Sequence, residues 1–360
     1  MKTYPIPMVP GPVMVPEAIR RVYLEPYGSG DQETEFVELY TRTQRRLKAI
    51  FGTRDDIVIQ SGEGMLALWS ALKSCLVPSD RVLAVATGVF GYGIGEMAQS
   101  IGADVKIVGF SYDETINDMA RIEAAIAEFK PRMITAVHCE TPSGTLNPLE
   151  ELGRLKHAYR VPLFYVDTVA GAGGVPVLAD DWHIDLCLGG SQKCLSAPPD
   201  MSFLSVSPRA WEIIDAVGYV GYDALKPFQH AVKKRFFPYT PNWQGVAALF
   251  TAAGLLLDEG LEHSFNRHDA VARLCRQRLV EMGIELFPAA GAIPSPTVTA
   301  AVVPDGFTWD AWDRRLREQG LVVAGSYGPL AEKVFRLGHM GAQADRALVE
   351  QAIEVITGAL

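Results

Sequence analysis

Several familiar signals are missing from this chain. Its five cysteines, Cys75, Cys139, Cys187, Cys194 and Cys275, are odd in number, and no two have C-x-x-C spacing. That excludes a disulfide framework, and no metal site is expected from them. Reduced thiols point to the cytoplasm. No stretch approaches the roughly 18–20 apolar residues of a membrane span. The first 19 residues hold five prolines and no long apolar core, so they do not read as a secretory signal. A basic surplus is also absent: Lys+Arg is 33 against Asp+Glu 42, a net charge of −9. Nucleic acid is therefore not an expected partner. The glycine run GVFGYGIGE contains no G-x-G-x-x-G behind a strand, which argues against dinucleotide binding. There is no internal repeat and no low-complexity run.

What remains is a chain of 360 residues, 48% hydrophobic and 21% charged. These are the proportions of a globular protein with two domains, or one large domain and an appendage. Short aliphatic runs at 57–60, 81–86, 105–110, 133–139, 162–167, 186–190 and 202–207 read as strands, most of them apolar on both faces. Helical patterns separate them at 63–76, 91–101, 118–128 and 149–159. Doubly apolar strands alternating with helices predict a mostly parallel α/β sheet. After residue 207 the pattern changes. Helices are expected at 209–216, 243–258, 263–282, 308–318 and 344–358, with strands at 297–303, 321–325 and 334–340. This tail reads as a smaller α+β domain.

The most informative stretch is YVDTVAGAGGVPVLADDWHIDLCLGGSQKCLSAPPD. One buried strand ends in Asp167. A second ends in a small polar turn followed by Lys193. Ligands of open α/β sheets sit outside the carboxyl ends of strands, so an acid and an amine would project into one crevice. A pyridine aldehyde cofactor wants this pair: lysine for the Schiff base and a carboxylate for the pyridinium nitrogen. The lysine then shuttles a proton between substrate Cα and C4′. Spacing alone also allows a surface lysine after a strand. The small residues before Lys193 and the stiff Ala-Pro-Pro after it favour a held amine.

Eight motifs extend the pattern: PGP (10–12), SGEGMLAL (61–68), TGVFGYG (87–93), HCETPSGTLNP (138–148), YVDTVAGAGG (165–174), GGSQKCLSAPP (189–199), PYTP (238–241) and FRLGHMG (335–341). In these motifs and their order the chain resembles the class V aminotransferases among the fold-type I pyridoxal-phosphate enzymes. The similarity is greatest to the alanine–glyoxylate and pyridoxamine–pyruvate branches. The resemblance implies a seven-stranded, mostly parallel sheet in a large domain (21–258), with one antiparallel member a common variation. It also implies a small C-terminal domain (259–360) and an N-terminal segment (1–20) lying across it. Lys193 matches the Schiff-base lysine and Asp167 the pyridinium partner. Val169 and Phe90 match the two residues that pack the ring faces, and Thr141 the hydroxyl near its 3′-oxygen. Arg336 matches the arginine that clamps the substrate carboxylate, a task suited to its planar fork. His339 is either a pocket residue or a core histidine.

The expected phosphate cup is Ser61–Met65, at the start of a helix. Gly64 supplies a close backbone approach there, but Glu63 stands where many relatives have Ser or Thr. A carboxylate competes with a phosphate for the same helix terminus, and the two repel. Glu63 could equally be a first-turn acid facing water. The pyridoxamine–pyruvate branch is similar in having Gly-Glu here, and its members use unphosphorylated pyridoxamine as a substrate. Gln192 and Thr240 match phosphate contacts, Thr240 supplying its contact to a neighbouring subunit's site. Phe237 replaces a tyrosine that usually accompanies that threonine. The resemblance thus implies a homodimer with the active site at its interface. The expected reaction moves an amino group onto a small 2-oxo acid, pyruvate or glyoxylate. Pyridoxamine is slightly favoured as donor over alanine or serine with resident pyridoxal 5′-phosphate. A lyase or desulfurase is the remote alternative, and no cysteine sits in a mobile loop to serve it. Trp69 and Trp243 are expected to pack rather than react.

Overall fold

The computed structural model describes residues 3–360. Seven strands build the main sheet: β1 Asp56–Ser61, β2 Arg81–Ala86, β3 Asp104–Gly109, β4 Met133–Val137, β5 Leu163–Asp167, β6 Leu186–Gly190 and β7 Met201–Val206. Their spatial order is β1-β7-β6-β5-β4-β2-β3. β7 runs antiparallel to both its neighbours, and every other pairing is parallel. The mostly parallel sheet with one reversed strand is therefore as expected. Every residue of β4, β5, β6 and β7 is buried, because helices cover both faces. That burial is why these strands read as continuous apolar runs.

The helices of nine residues or more are α1 Thr34–Phe51, α2 Gly64–Cys75, α3 Val89–Ser100, α4 Met119–Phe129, α5 Glu150–Ala158, α6 Pro208–Val217, α7 Trp243–Glu259, α8 Leu261–Glu281, α9 Trp309–Glu318 and α10 Arg346–Ala359. α2 follows β1 directly, and α3 follows β2. Both helices consequently begin at the carboxyl edge of the sheet, where ligands bind in open α/β folds. The strand read at 133–139 breaks at His138, whose N–H donates to the Asp167 carbonyl 2.8 Å away.

α1 has no counterpart in the sequence reading, which offers nothing between 21 and 56. Its buried residues Phe36, Tyr40, Thr43, Leu47 and Ile50 recur every three or four positions. Gly52 ends the helix in the left-handed region, at φ 56°. That spacing and that terminal glycine are the signal that could have found it. Phe36 meets Phe237 and Trp243 edge-on, with ring centroids 5.3 Å and 5.5 Å apart. Phe237 and Trp243 are thus core residues.

A second apolar core forms from the C-terminal third together with Ile6 and Met8. It packs on an antiparallel sheet of β8 Thr299–Val302, β9 Ala324–Gly325 and β10 Val334–Leu337, ordered β8-β10-β9. The run expected as one strand at 321–325 divides. Leu321–Val322 pairs in parallel with Ile6–Pro7, and Ala324–Gly325 pairs with β10. Val323 between them is buried, so the chain changes sheets without leaving the core. Gly260, at φ 89°, separates α7 from α8. Arg267 braces this region, donating to Glu259 at 2.6 Å and to the carbonyls of Gly341 and Ala344 at 3.0 Å and 2.8 Å. Among the described residues no helix is long and apolar enough to cross a membrane.

Candidate active site

A cavity of about 120 Å³ opens at the carboxyl edge of the sheet. Glu63, Gly64, Phe90, Thr141, Asp167, Val169, Gln192 and Lys193 all line it. Eight of the eleven residues singled out from the sequence therefore meet in one place. They come from five separated stretches of chain, delivered by the ends of β1, β2, β4, β5 and β6.

Asp167 closes β5, in register with Val137 of β4 and Leu188 of β6. Its Oδ1 accepts the Val169 N–H at 2.8 Å. Burial pushes its carboxyl up to about 6, against the lowering effect of that N–H and of Lys193. A nearly buried carboxylate with one backbone donor is incompletely satisfied, and a ring N–H⁺ at the cavity is the kind of partner it lacks. Lys193 lies three residues beyond β6. Its ammonium donates to the Pro10 carbonyl at 2.6 Å. Burial, then the charge of Arg336, holds its pKa below the ordinary lysine value, which favours the neutral, nucleophilic amine. Gly11 is required beside it on two counts. Its φ is 98°, and a Cβ there would stand 2.6 Å from the lysine Nζ.

The cavity walls fit a flat ring. Phe90 opens α3, and Val169 stands two residues past Asp167. A Cβ on Gly64 would come within 3.2 Å of the Val169 side chain, so the glycine leaves that wall its room. The other end is different. Glu63 is the N-cap of α2, and its Oε1 accepts the Met65 N–H at 3.0 Å. The Gln192 amide reaches its Oε2 at 3.5 Å. The half-buried carboxylate lines the cavity. It takes a helix-terminal N–H and approaches the side chain expected to meet a phosphate.

Arg336 is buried on β10 of the small sheet. Its Nε donates to the Gly325 carbonyl at 2.8 Å, Nη2 reaches the same oxygen, and Nη1 reaches the Thr141 carbonyl at 3.5 Å. The guanidinium carbon lies over the Tyr327 ring, 4.6 Å from its centroid. His339 is a core histidine. Its Nε2 pairs with Thr299 Oγ1 at 2.7 Å and its Nδ1 with the Pro296 carbonyl at 3.1 Å, so neither nitrogen is left for a substrate. Burial drives its pKa down to about 3. Thr240 is exposed and lies outside this cavity. Tyr239 beside it reaches the Ser61 N–H with its hydroxyl at 3.4 Å.

Four residues at or beside the site have no assigned role in the sequence. Pro10 and Gly11 appear there only within the PGP motif. Cys139 lines the cavity, with its thiol 3.1 Å from Ser295 Oγ; burial pushes it up to about 11, so it stays protonated. Glu140, next to it, is fully buried and caps α3. The period of two along Cys139-Glu140-Thr141 is the signal for Cys139. It sends the outer pair into the cavity and Glu140 the other way.

Comparison with known proteins agrees with this geometry. The signature of the class V aminotransferases matches residues 11–333. The alanine–glyoxylate aminotransferase of Oryctolagus cuniculus is 33% identical over 350 residues, covering 92% of this chain and 86% of that protein. The pyridoxamine–pyruvate transaminase of Mesorhizobium japonicum is 31% identical over 335 residues, covering 92% and 85%. The crystal structure of pyridoxamine–pyruvate aminotransferase from Mesorhizobium loti superposes with a TM-score of 0.95 at 29% identity, covering 99% of this chain and 92% of that one. With sheet, cavity and signature in agreement, this chain is a member of the class V aminotransferase family, enzymes that work with pyridoxal 5′-phosphate.

Proposed function

We propose that the enzyme transfers an amino group from pyridoxamine to a small 2-oxo acid, with pyruvate giving alanine and pyridoxal. One observation carries the choice of donor: the Glu63 carboxylate sits on the N-terminus of α2, held by Met65 N–H and facing Gln192. An anion already occupies the place where a phosphate would bind, and like charges repel. A neutral hydroxymethyl group instead donates a hydrogen bond to a carboxylate.

When bound, the pyridine ring supplies an electron sink for the pair left at carbon during proton removal. The chain's own residues do the rest. Asp167 holds the charge on the ring nitrogen. Phe90 and Val169 would hold the two faces of the ring, Gly64 would leave it room, and Thr141 would meet its 3′-oxygen. Lys193 carries the proton between substrate Cα and C4′, as its lowered pKa permits. Arg336 gives one edge to the Gly325 carbonyl and turns the Nη1 side to the oxo acid's carboxylate. His339 supports the β8–β10 pairing behind it. The same reading takes residues 1–20 as a segment across the small domain and places the domain boundary between 258 and 259. The two apolar cores and the break at Gly260 support the boundary, and Ile6 and Met8 in the second core support the segment's first part, whereas Ile19 packs in the first core. We place the enzyme in the cytoplasm as a homodimer, with the exposed Thr240 serving the partner's site.

The second reading is a pyridoxal-phosphate-dependent alanine or serine–glyoxylate aminotransferase. Gln192, positioned as a phosphate donor, favours it. An absorbance spectrum of the purified protein, followed by pyridoxamine and pyruvate, separates the two. A colourless protein that releases pyridoxal and alanine is expected. A yellow protein holding phosphorylated cofactor and silent toward pyridoxamine overturns the choice of donor.

A further inference from the structure

The N-terminus of α3 has no cap of its own. Its N-cap is Gly88, which has no side chain to offer, so the N–H groups of the first turn need an outside acceptor. Glu140 supplies it from the hairpin 139–146. Its Oε2 accepts the Phe90 N–H at 3.2 Å and its Oε1 the Gly91 N–H at 2.6 Å. The fit explains the local sequence. A Cβ on Gly88 would stand 2.7 Å from the Glu140 carboxyl carbon, and one on Gly91 would lie 3.2 Å from Oε1. Gly88 has an extended backbone, at φ −168°, so space and not conformation demands the glycine. One of the two N–H groups belongs to Phe90, the residue at the cavity wall.

We propose that Glu140 is a positioning residue that fixes the Phe90 ring against the bound pyridine ring by clamping the first turn of α3. The proposal rests on the reading of Phe90 as a wall of the ring site. Helix first turns are where a helix frays most readily, and a clamp on two adjacent N–H groups removes that freedom. Charge-assisted bonds to a buried carboxylate are stronger than ordinary ones. Burial pushes Glu140 up to about 7, with the Asp167 charge adding to the rise. The neighbouring titratable groups Cys139 and Tyr112 feel its charge, which raises both. The clamp is therefore poised: as pH falls through about 7, Glu140 takes a proton and one acceptor is lost.

The test uses the full chain with pyridoxal and pyridoxal 5′-phosphate as separate ring probes, so it does not depend on the natural donor. Affinity and the visible circular dichroism of the bound ring are measured for wild type, Glu140→Gln, Phe90→Leu and the double variant. Glu140→Gln should weaken both probes about tenfold, the order of one hydrogen bond to a charged group, and reduce the induced dichroism. The double variant should be no weaker than Phe90→Leu alone, because the two residues act as one unit. The wild-type fall in affinity with pH through about 7 should be shallower in Glu140→Gln. Gly88→Ala, which crowds the carboxylate without removing it, should reproduce the loss if the Gln variant folds poorly. Additive losses in the double variant overturn the proposal. So does unchanged ring affinity in both Glu140→Gln and Gly88→Ala. An unaffected Phe90→Leu overturns the Phe90 reading along with it, whereas a weakened Phe90→Leu beside an unaffected Glu140→Gln removes only Glu140.

Discussion

The two ends of the cavity are built differently. At the ring end, each group is fixed by a remote part of the chain. Lys193 reaches Pro10, 183 residues away; Glu140 caps a helix 50 residues before it; Asp167 is set by registers on both sides of β5. At the anion end, Glu63 bonds to Met65 two residues on, is half-buried, and reaches Gln192 at 3.5 Å. A group held by the whole fold cannot move without disturbing it. A group held by its own helix terminus can swing out at the cost of one local bond. The ring end thus sets what chemistry is possible, and the anion end sets which ring derivative is accepted.

The largest effects should come from the ring end and be blind to phosphorylation. Lys193→Ala should lower turnover by roughly a thousandfold or more, with pyridoxamine and with alanine as donor alike. Steady-state assays with both donors check this, and full activity would sink the aminotransferase reading of the site. Asp167→Asn should cost roughly a hundredfold or more and leave the Kd ratio of pyridoxal to its phosphate unchanged. The same substitution has an opposite effect on the protein without ligand. The Asp167 carboxyl is raised from 3.8 to about 6 and that of Glu140 from 4.5 to about 7, so the folded state binds more protons than the unfolded one. Their contribution to stability is complete below the ordinary carboxyl range and is lost as pH rises through those raised values. Ligand-free Asp167→Asn should therefore be more stable than wild type at alkaline pH, by no more than about 3 kcal/mol. The advantage should vanish in acid. Thermal unfolding across pH measures both.

The same division decides what could be read from the sequence. Lys193 and Asp167 were legible because Asp167 ends a buried strand and Lys193 lies in the turn just past another, and strand ends are where α/β sheets put ligands. The parallel core was legible for the same reason, since burial on two faces leaves an unbroken apolar run. Glu140 was not. Its role depends on a helix 50 residues earlier in the chain, and no local pattern marks an acid as the cap of someone else's helix. α1 had its signal, a three-and-four spacing of buried residues from Phe36 to Ile50, but the polar residues between them in TEFVELYTRTQRRLKAIF hide it from a search for apolar runs. His339 sits in a motif with Arg336, yet its ring turns to Thr299 and Pro296. His339 lies beyond the end of Arg336's strand, and sharing a motif does not say which way a side chain turns.

Smaller effects belong to the anion end, where discrimination should change without loss of chemistry. Glu63→Ser removes the carboxylate and leaves a hydroxyl at the N-cap. Binding should shift toward pyridoxal 5′-phosphate relative to pyridoxal by at least about tenfold, since repulsion gives way to a free helix terminus. An unchanged ratio would mean that Glu63 swings aside whenever phosphate arrives, and the two ends would then differ less than proposed. Glu63→Ala isolates the last and smallest quantity, the worth of the cap itself. It removes a single side-chain acceptor at 3.0 Å from Met65 N–H, a loss of about 1 kcal/mol at a helix start. Inorganic phosphate should recover that loss by occupying the freed N–H groups, raising the melting temperature of the variant more than that of wild type. A local cap can be replaced by a ligand in this way because nothing else in the fold leans on it. Phosphate added to Glu140→Gln has no such vacancy at the cavity to fill, and its melting temperature should rise no more than wild type's.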